Sequence, residues 1–144
     1  MSFIYLIIIA AVGGIAVAVQ GQLMGSIDKQ VGTLESVFVT YGGGGFLIGI
    51  IMILLRGANL SGLSQLPWYT LLAGPMGLVL IAAIGYSVPR LGLVPAFTIL
   101  VAAQFMAAAL IDQFGLFGAE IRQINLSRVT GMLVMLVGIW LAMR

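Results

Sequence analysis

No cysteine and no histidine occurs among the 144 residues, and charge is nearly absent: six Lys/Arg and four Asp/Glu, together 7% of the chain. Without cysteine there is no disulfide and no thiolate metal site, and without histidine the commonest metal ligand and general base is missing. Hydrolytic and metal chemistry are therefore disfavoured, and no metal or other cofactor is expected. No nucleophile stands with a base beside it, so an enzyme is the weakest reading. The six cations give a net charge of +2 but are scattered singly between apolar stretches, with no patch to neutralise a run of phosphates. Nucleic acid is not an expected partner.

What the chain has instead is apolar surface: 62% of its residues are hydrophobic, against about 45–50% in ordinary soluble domains. A bilayer core of about 30 Å takes roughly 20 helical residues to cross. Five stretches of about that length occur, at 3–19, 37–55, 66–88, 91–111 and 126–143. Helix is their expected state, because a strand edge facing lipid leaves amides unpaired and barrel strands would alternate apolar with polar residues. The expectation is a single all-α transmembrane domain of five helices over 1–144. The first stretch carries no Lys or Arg before it and is read as a retained helix, not a signal peptide.

The connections read as short. Gln20 to Ser36 should link the first two helices, and Arg56 to Gln65, rich in Gly, Asn and Ser, the next two. Pro67, Trp68 and Tyr69 suit a helix start at the headgroup level. Pro89, Arg90 and Leu91 leave room only for a tight turn between helices three and four, and Asp112 to about Asn125 should lie along the membrane surface.

Small residues recur at close-packing intervals, including Gly131 and Gly138 in the fifth helix and Gly45 and Gly49 in the second, on the same face as Tyr41. Such rows let backbones approach in a membrane. Gly42, Gly43, Gly44 and Gly45 are either part of that packing or a point where the second helix bends, and Pro75 and Pro95 are expected to break helices three and four. Polar groups at membrane depth are costly and so are functional or bridge helices. The candidates for solute or ion binding are Glu35, Gln104, Gln20, Tyr41, Tyr86 and Thr98. Gln104 suits a cross-helix hydrogen bond as well as a substrate contact. Thr33 could cap the second helix and place Glu35 in its first turn at the positive dipole end; alternatively, Glu35 faces a vestibule. Asp28, Asp112 and Glu120 fall in expected connections, which disfavours a proton antiporter built on a buried acid.

The stretch Asp112-Gln113-Phe114-Gly115-Leu116-Phe117-Gly118, then Ser127-Arg128 and Gly131 and Gly138, with Gln20 as a weaker match, resembles the drug/metabolite transporter superfamily. Within it, the chain is similar to the short five-helix bacterial family called YdcZ-like. The resemblance implies a histidine in many relatives where this chain has Gln113, so no protonation role passes to that position. The resemblance implies an inner-membrane, multi-pass protein, half of a ten-helix unit made of two five-helix halves, fused or separate. The reading is a small-solute transporter subunit, an exporter working by alternating access; a passive channel and a non-transporting accessory subunit are the alternatives. Its partners would be lipid, a solute, and a second copy or a homologous chain. Five crossings put Lys29, Arg90 and Arg144 on one side and Arg56, Arg122 and Arg128 on the other. With three cations on each face nothing sets a preferred orientation, and an antiparallel, dual-topology homodimer is expected.

Overall fold

The computed structural model describes residues 3–55 and 65–144, and over these it is all-helical, with no strand among the described residues. Arg56 and the rest of the loop expected up to residue 64 lie outside the described residues. The helices are α1 (Phe3–Val31), α2 (Thr33–Leu54), α3 (Ala73–Leu91), α4 (Leu93–Phe114) and α5 (Leu126–Ala142), with 3₁₀ turns at Trp68–Leu72 and Leu116–Gly118. Four helices are long and apolar enough to cross a membrane, counting the Trp68–Leu72 turn with α3; the fifth has 17 residues, the lower end of the spanning range of about 17–25. Large apolar side chains point outward on every helix, among them Ile7, Phe46, Val79, Phe105 and Val134. A helix apolar on all sides belongs in lipid.

Three expectations about the helices are corrected. The first helix does not stop near Val19 but continues to Val31, so Gln20 to Val31 is helix and not connection. The hydropathy falls there, yet Gly21, Met24, Gly25 and Asp28 recur at intervals of three and four and form a buried face, which keeps the chain helical. With 29 residues α1 is about 43 Å long, more than the hydrocarbon core, so its polar end projects to the headgroup level. Thr33 does not cap α2: the cap position is Gly32, and the Thr33 hydroxyl donates to the Asp28 carboxylate instead. Pro95 does not break α4: it is the third residue of the helix, in the first turn where a backbone amide has no intrahelical partner anyway. Pro75 stands three residues after the Trp68–Leu72 turn, where the continuous span changes from 3₁₀ to α-helix. The proline inside a helix is Pro89, near the end of α3.

Gly32 alone separates α1 from α2, and Gly92 alone separates α3 from α4. Both hold extended backbone at positive φ, 111° at Gly32 and 92° at Gly92, a region open to glycine and strained for other residues. The match extends further. Met24, Gly25, Asp28 and Ser36, on either side of Gly32, are buried; the residues sixty positions on are buried too, Ile84, Gly85 and Val88 in α3, where Val88 and Gly85 pack against Gly25 and Met24, and Ala96 in α4. The helices that follow are each 22 residues long. The chain thus repeats one helix, glycine, helix plan twice and adds α5.

Two compact units form, Met1–Arg90 and Leu91–Arg144. In the first, α1 and α3 approach closely at two glycines. A Cβ on Gly25 would lie 3.1 Å from Val88 Cγ1 and 3.4 Å from Pro89 Cδ, and one on Gly85 would lie 3.3 Å from Met24 Cε. In the second, α4 packs along α5. Their connection is pinned by the Arg122 amide donating to the Asp112 carbonyl at 2.9 Å and the Ile124 amide donating to Gln113 Oε1 at 2.6 Å.

Candidate functional site

In the first unit the chemistry gathers at the junction of α1, α2 and α3. Asp28, one turn before the end of α1, has a side chain only 4% exposed. A carboxylate so enclosed persists only when partnered. One oxygen accepts from the Thr33 hydroxyl and the other from Arg90 Nη1 at 3.0 Å. Arg90 Nη1 also donates to the Tyr86 carbonyl at 2.7 Å, and the guanidinium lies 3.7 Å above the Tyr86 ring. Beneath this cluster the fully buried Ser36 hydroxyl donates to the Met24 carbonyl at 3.0 Å. The arrangement ties three helix ends together, and both Asp28 oxygens and the Thr33 and Ser36 hydroxyls are occupied from within the unit.

The second unit holds a cavity of about 470 Å³ in the seam between α4 and α5, lined by Phe105, Ala108, Ala109, Asp112, Arg128, Gly131, Met132 and Met135. A shallower groove, open to the surface, follows along the same seam at Phe97, Thr98, Val101, Met135, Gly138 and Ile139. Gly131 and Gly138, expected to press α5 against a neighbouring backbone, have nothing within 4 Å of where a Cβ would stand. Their missing side chains are what leaves the seam hollow.

One ion pair closes the end of the cavity: Arg128 Nη1 lies 3.3 Å from Asp112 Oδ2, each side chain about a third exposed. Both charges oppose their helix dipoles. Asp112 stands in the last turn of α4, where the partial charge is negative, and Arg128 in the first turn of α5, where it is positive. Asn125 caps α5 by accepting from the Arg128 amide at 2.9 Å, and Arg128 Nη1 also reaches the Arg122 carbonyl at 3.3 Å.

The six residues singled out as binding candidates do not converge. Glu35 is exposed in the first turn of α2, with its carboxylate lying over Gly32. Gln20 is half-buried within α1. The Tyr41 hydroxyl occupies the space above Gly77 of α3, and Tyr86 lies under Arg90. Thr98 bonds back to the Val94 carbonyl at 2.6 Å and is the one of the six that lines the seam groove. Gln104, midway along α4, is exposed and makes no hydrogen bond among the described residues. Gly42 to Gly45 interrupt nothing, since α2 is one helix from Thr33 to Leu54; within the described chain only Phe38 of the same helix comes within 4 Å of a Cβ on any of these four, and nothing does at Gly49.

Asp28, Arg90, Asp112 and Arg128 were not among the sequence candidates, the acids having been set in connections. A signal existed: Gly25 to Gly32 and Gly85 to Gly92 have the same spacing, which marks two equivalent junctions and puts Asp28 inside the first. No curated protein and no solved structure matches the chain. A family model does, over residues 5–141, and with that match covering nearly the whole sequence the chain belongs to the YdcZ family, whose description reads "Putative inner membrane exporter, YdcZ".

Proposed function

We propose that the chain is half of a small-solute exporter: two copies inserted in opposite orientations, or one copy with a homologous chain, form a ten-helix unit that works by alternating access. The observation that carries this reading is Gln104. It stands midway along an apolar 22-residue helix, outward-facing and with no hydrogen-bond partner among the described residues. An amide with neither water nor a partner at that depth costs several kcal/mol. Gln104 therefore faces something polar beyond this chain, either a second copy or a watered path between two. The unpacked Gly43, Gly44, Gly45 and Gly49 on α2 support the same reading, because a row without side chains suits a closely approaching helix. The family description adds export and the inner membrane.

A thermal-shift screen on purified protein would first select solutes that bind the folded state. Flux of those solutes is then measured in proteoliposomes. Saturable flux that Gln104→Leu changes in affinity or selectivity, and whose pH dependence Glu35→Gln reshapes, supports the reading. Flux that rises without saturation makes the protein a channel, and no flux from a chain that co-purifies with a larger complex makes it an accessory subunit.

A further inference from the structure

The polarity of the α4–α5 seam runs in one direction. Its charged end is Asp112 and Arg128, at the helix termini; its apolar part begins one turn deeper at Ala108 and Met132, reaches Phe105 and Met135, each seven residues or about 10 Å from the charges, and an open apolar groove extends it further. With α4 and α5 crossing the membrane, this is the profile of a phospholipid: charge at the headgroup level, a hollow of hydrocarbon character below it. The volume lies in the range of ligand pockets, about 300–1,000 Å³, and the wall is apolar with a few convergent polar groups.

The ion pair narrows the class. At 3.3 Å it is longer than a close charge-assisted contact of about 2.7–2.9 Å. Asp112 Oδ1 and the Nε and Nη2 of Arg128 have no partner among the described residues. One acceptor and one donor edge thus stand open side by side, on residues that each oppose their own helix dipole. Charges placed against local preference are kept where an added partner offsets the conflict. A headgroup with one anionic and one ammonium group satisfies both edges at once.

We propose that this seam is a site for a zwitterionic phospholipid, with its phosphate on Arg128, its ammonium on Asp112 and an acyl chain along Phe105, Met132 and Met135. The lipid occupies the hollow that Gly131 leaves, and it does so whether or not the chain moves a solute.

The test uses delipidated protein in detergent and reads the unfolding midpoint after adding phosphatidylethanolamine, phosphatidylglycerol with the same acyl chains, or soluble phosphoethanolamine. The expected result is a rise with phosphatidylethanolamine, a smaller one with phosphatidylglycerol and none with phosphoethanolamine. Gly131→Leu, which fills the cavity, should abolish the rise. Asp112→Asn should remove the preference between the two lipids, and this variant carries the test if Gly131→Leu does not fold. Equal rises with both lipids, or a full rise with phosphoethanolamine alone, would overturn the proposal. So would an efficient disulfide between two Met135→Cys chains in membranes, which would make the occupant of the seam a second copy; the cysteine-free sequence makes that readout unambiguous.

Discussion

Arg90 Nη1 sits 3.0 Å from Asp28 Oδ2 although the two residues are 62 positions apart, and the guanidinium rests on the ring of Tyr86 one turn before it. The partners are unequally enclosed: the Asp28 side chain is 4% exposed and that of Arg90 47%. Removing the cation strands an enclosed carboxylate, whereas removing the acid leaves an arginine that can turn to water or headgroups. Arg90→Met should therefore lower the unfolding midpoint more than Asp28→Asn, and the double variant should recover part of the Arg90→Met loss. Equal losses that add in the double variant would mean the two residues are not coupled.

Glycines in the fold divide into two groups with opposite expectations. Gly25→Leu and Gly85→Leu press side chains into α3 and α1 and should each cost about 1–3 kcal/mol of stability. Gly45→Leu meets open space, so the folded chain should keep its midpoint and lose only association with another copy, read as a smaller cross-linked dimer fraction. A Gly45→Leu chain as well assembled as the parent would show that this face meets lipid.

The junction glycines test the repeated plan. Gly32→Ala and Gly92→Ala each force an L side chain into positive-φ extended backbone and should cost about 1–3 kcal/mol, comparably at the two sites. Thermal unfolding of the two variants beside Gly43→Ala, which should be neutral or stabilising in a regular helix, provides the comparison. A large difference between Gly32→Ala and Gly92→Ala would show that only one junction is bound to glycine.

Orientation can be read directly. If three cations on each face leave the chain undirected, a reporter at the C-terminus should give intermediate signals on both sides of the membrane. Two lysines added beside Arg90 should shift the population to one side. A wild-type C-terminus found wholly on one face would remove the antiparallel homodimer and leave a biased pair with a sister chain.

The helices were legible because their signal is composition, which a bilayer imposes on every outward position. The boundaries were not, because hydropathy marks where the membrane ends and not where the helix does; Gln20 to Val31 left the apolar pattern without leaving the helix. The acids failed for the same reason. Asp28 and Asp112 looked like loop residues beside polar neighbours, whereas their roles depend on Arg90 and Arg128, partners brought close by packing that no local pattern encodes. Gln104 was readable as costly wherever it pointed, since an amide at mid-helix needs a partner in lipid regardless of the fold.

The single residue between α1 and α2 bears on how the protein is made. The polar stretch between the two apolar runs, Gln20 to Val31, is itself helical, and only Gly32 stands between it and α2. The expectation is that α1 and α2 enter the lipid as a pair, with Asp28 near its tip. On that expectation side selection is made once for the pair and not helix by helix, with Lys29, in the last turn of α1, bearing on two helices together. In biogenesis, the unit that chooses its orientation is the hinge and both its arms.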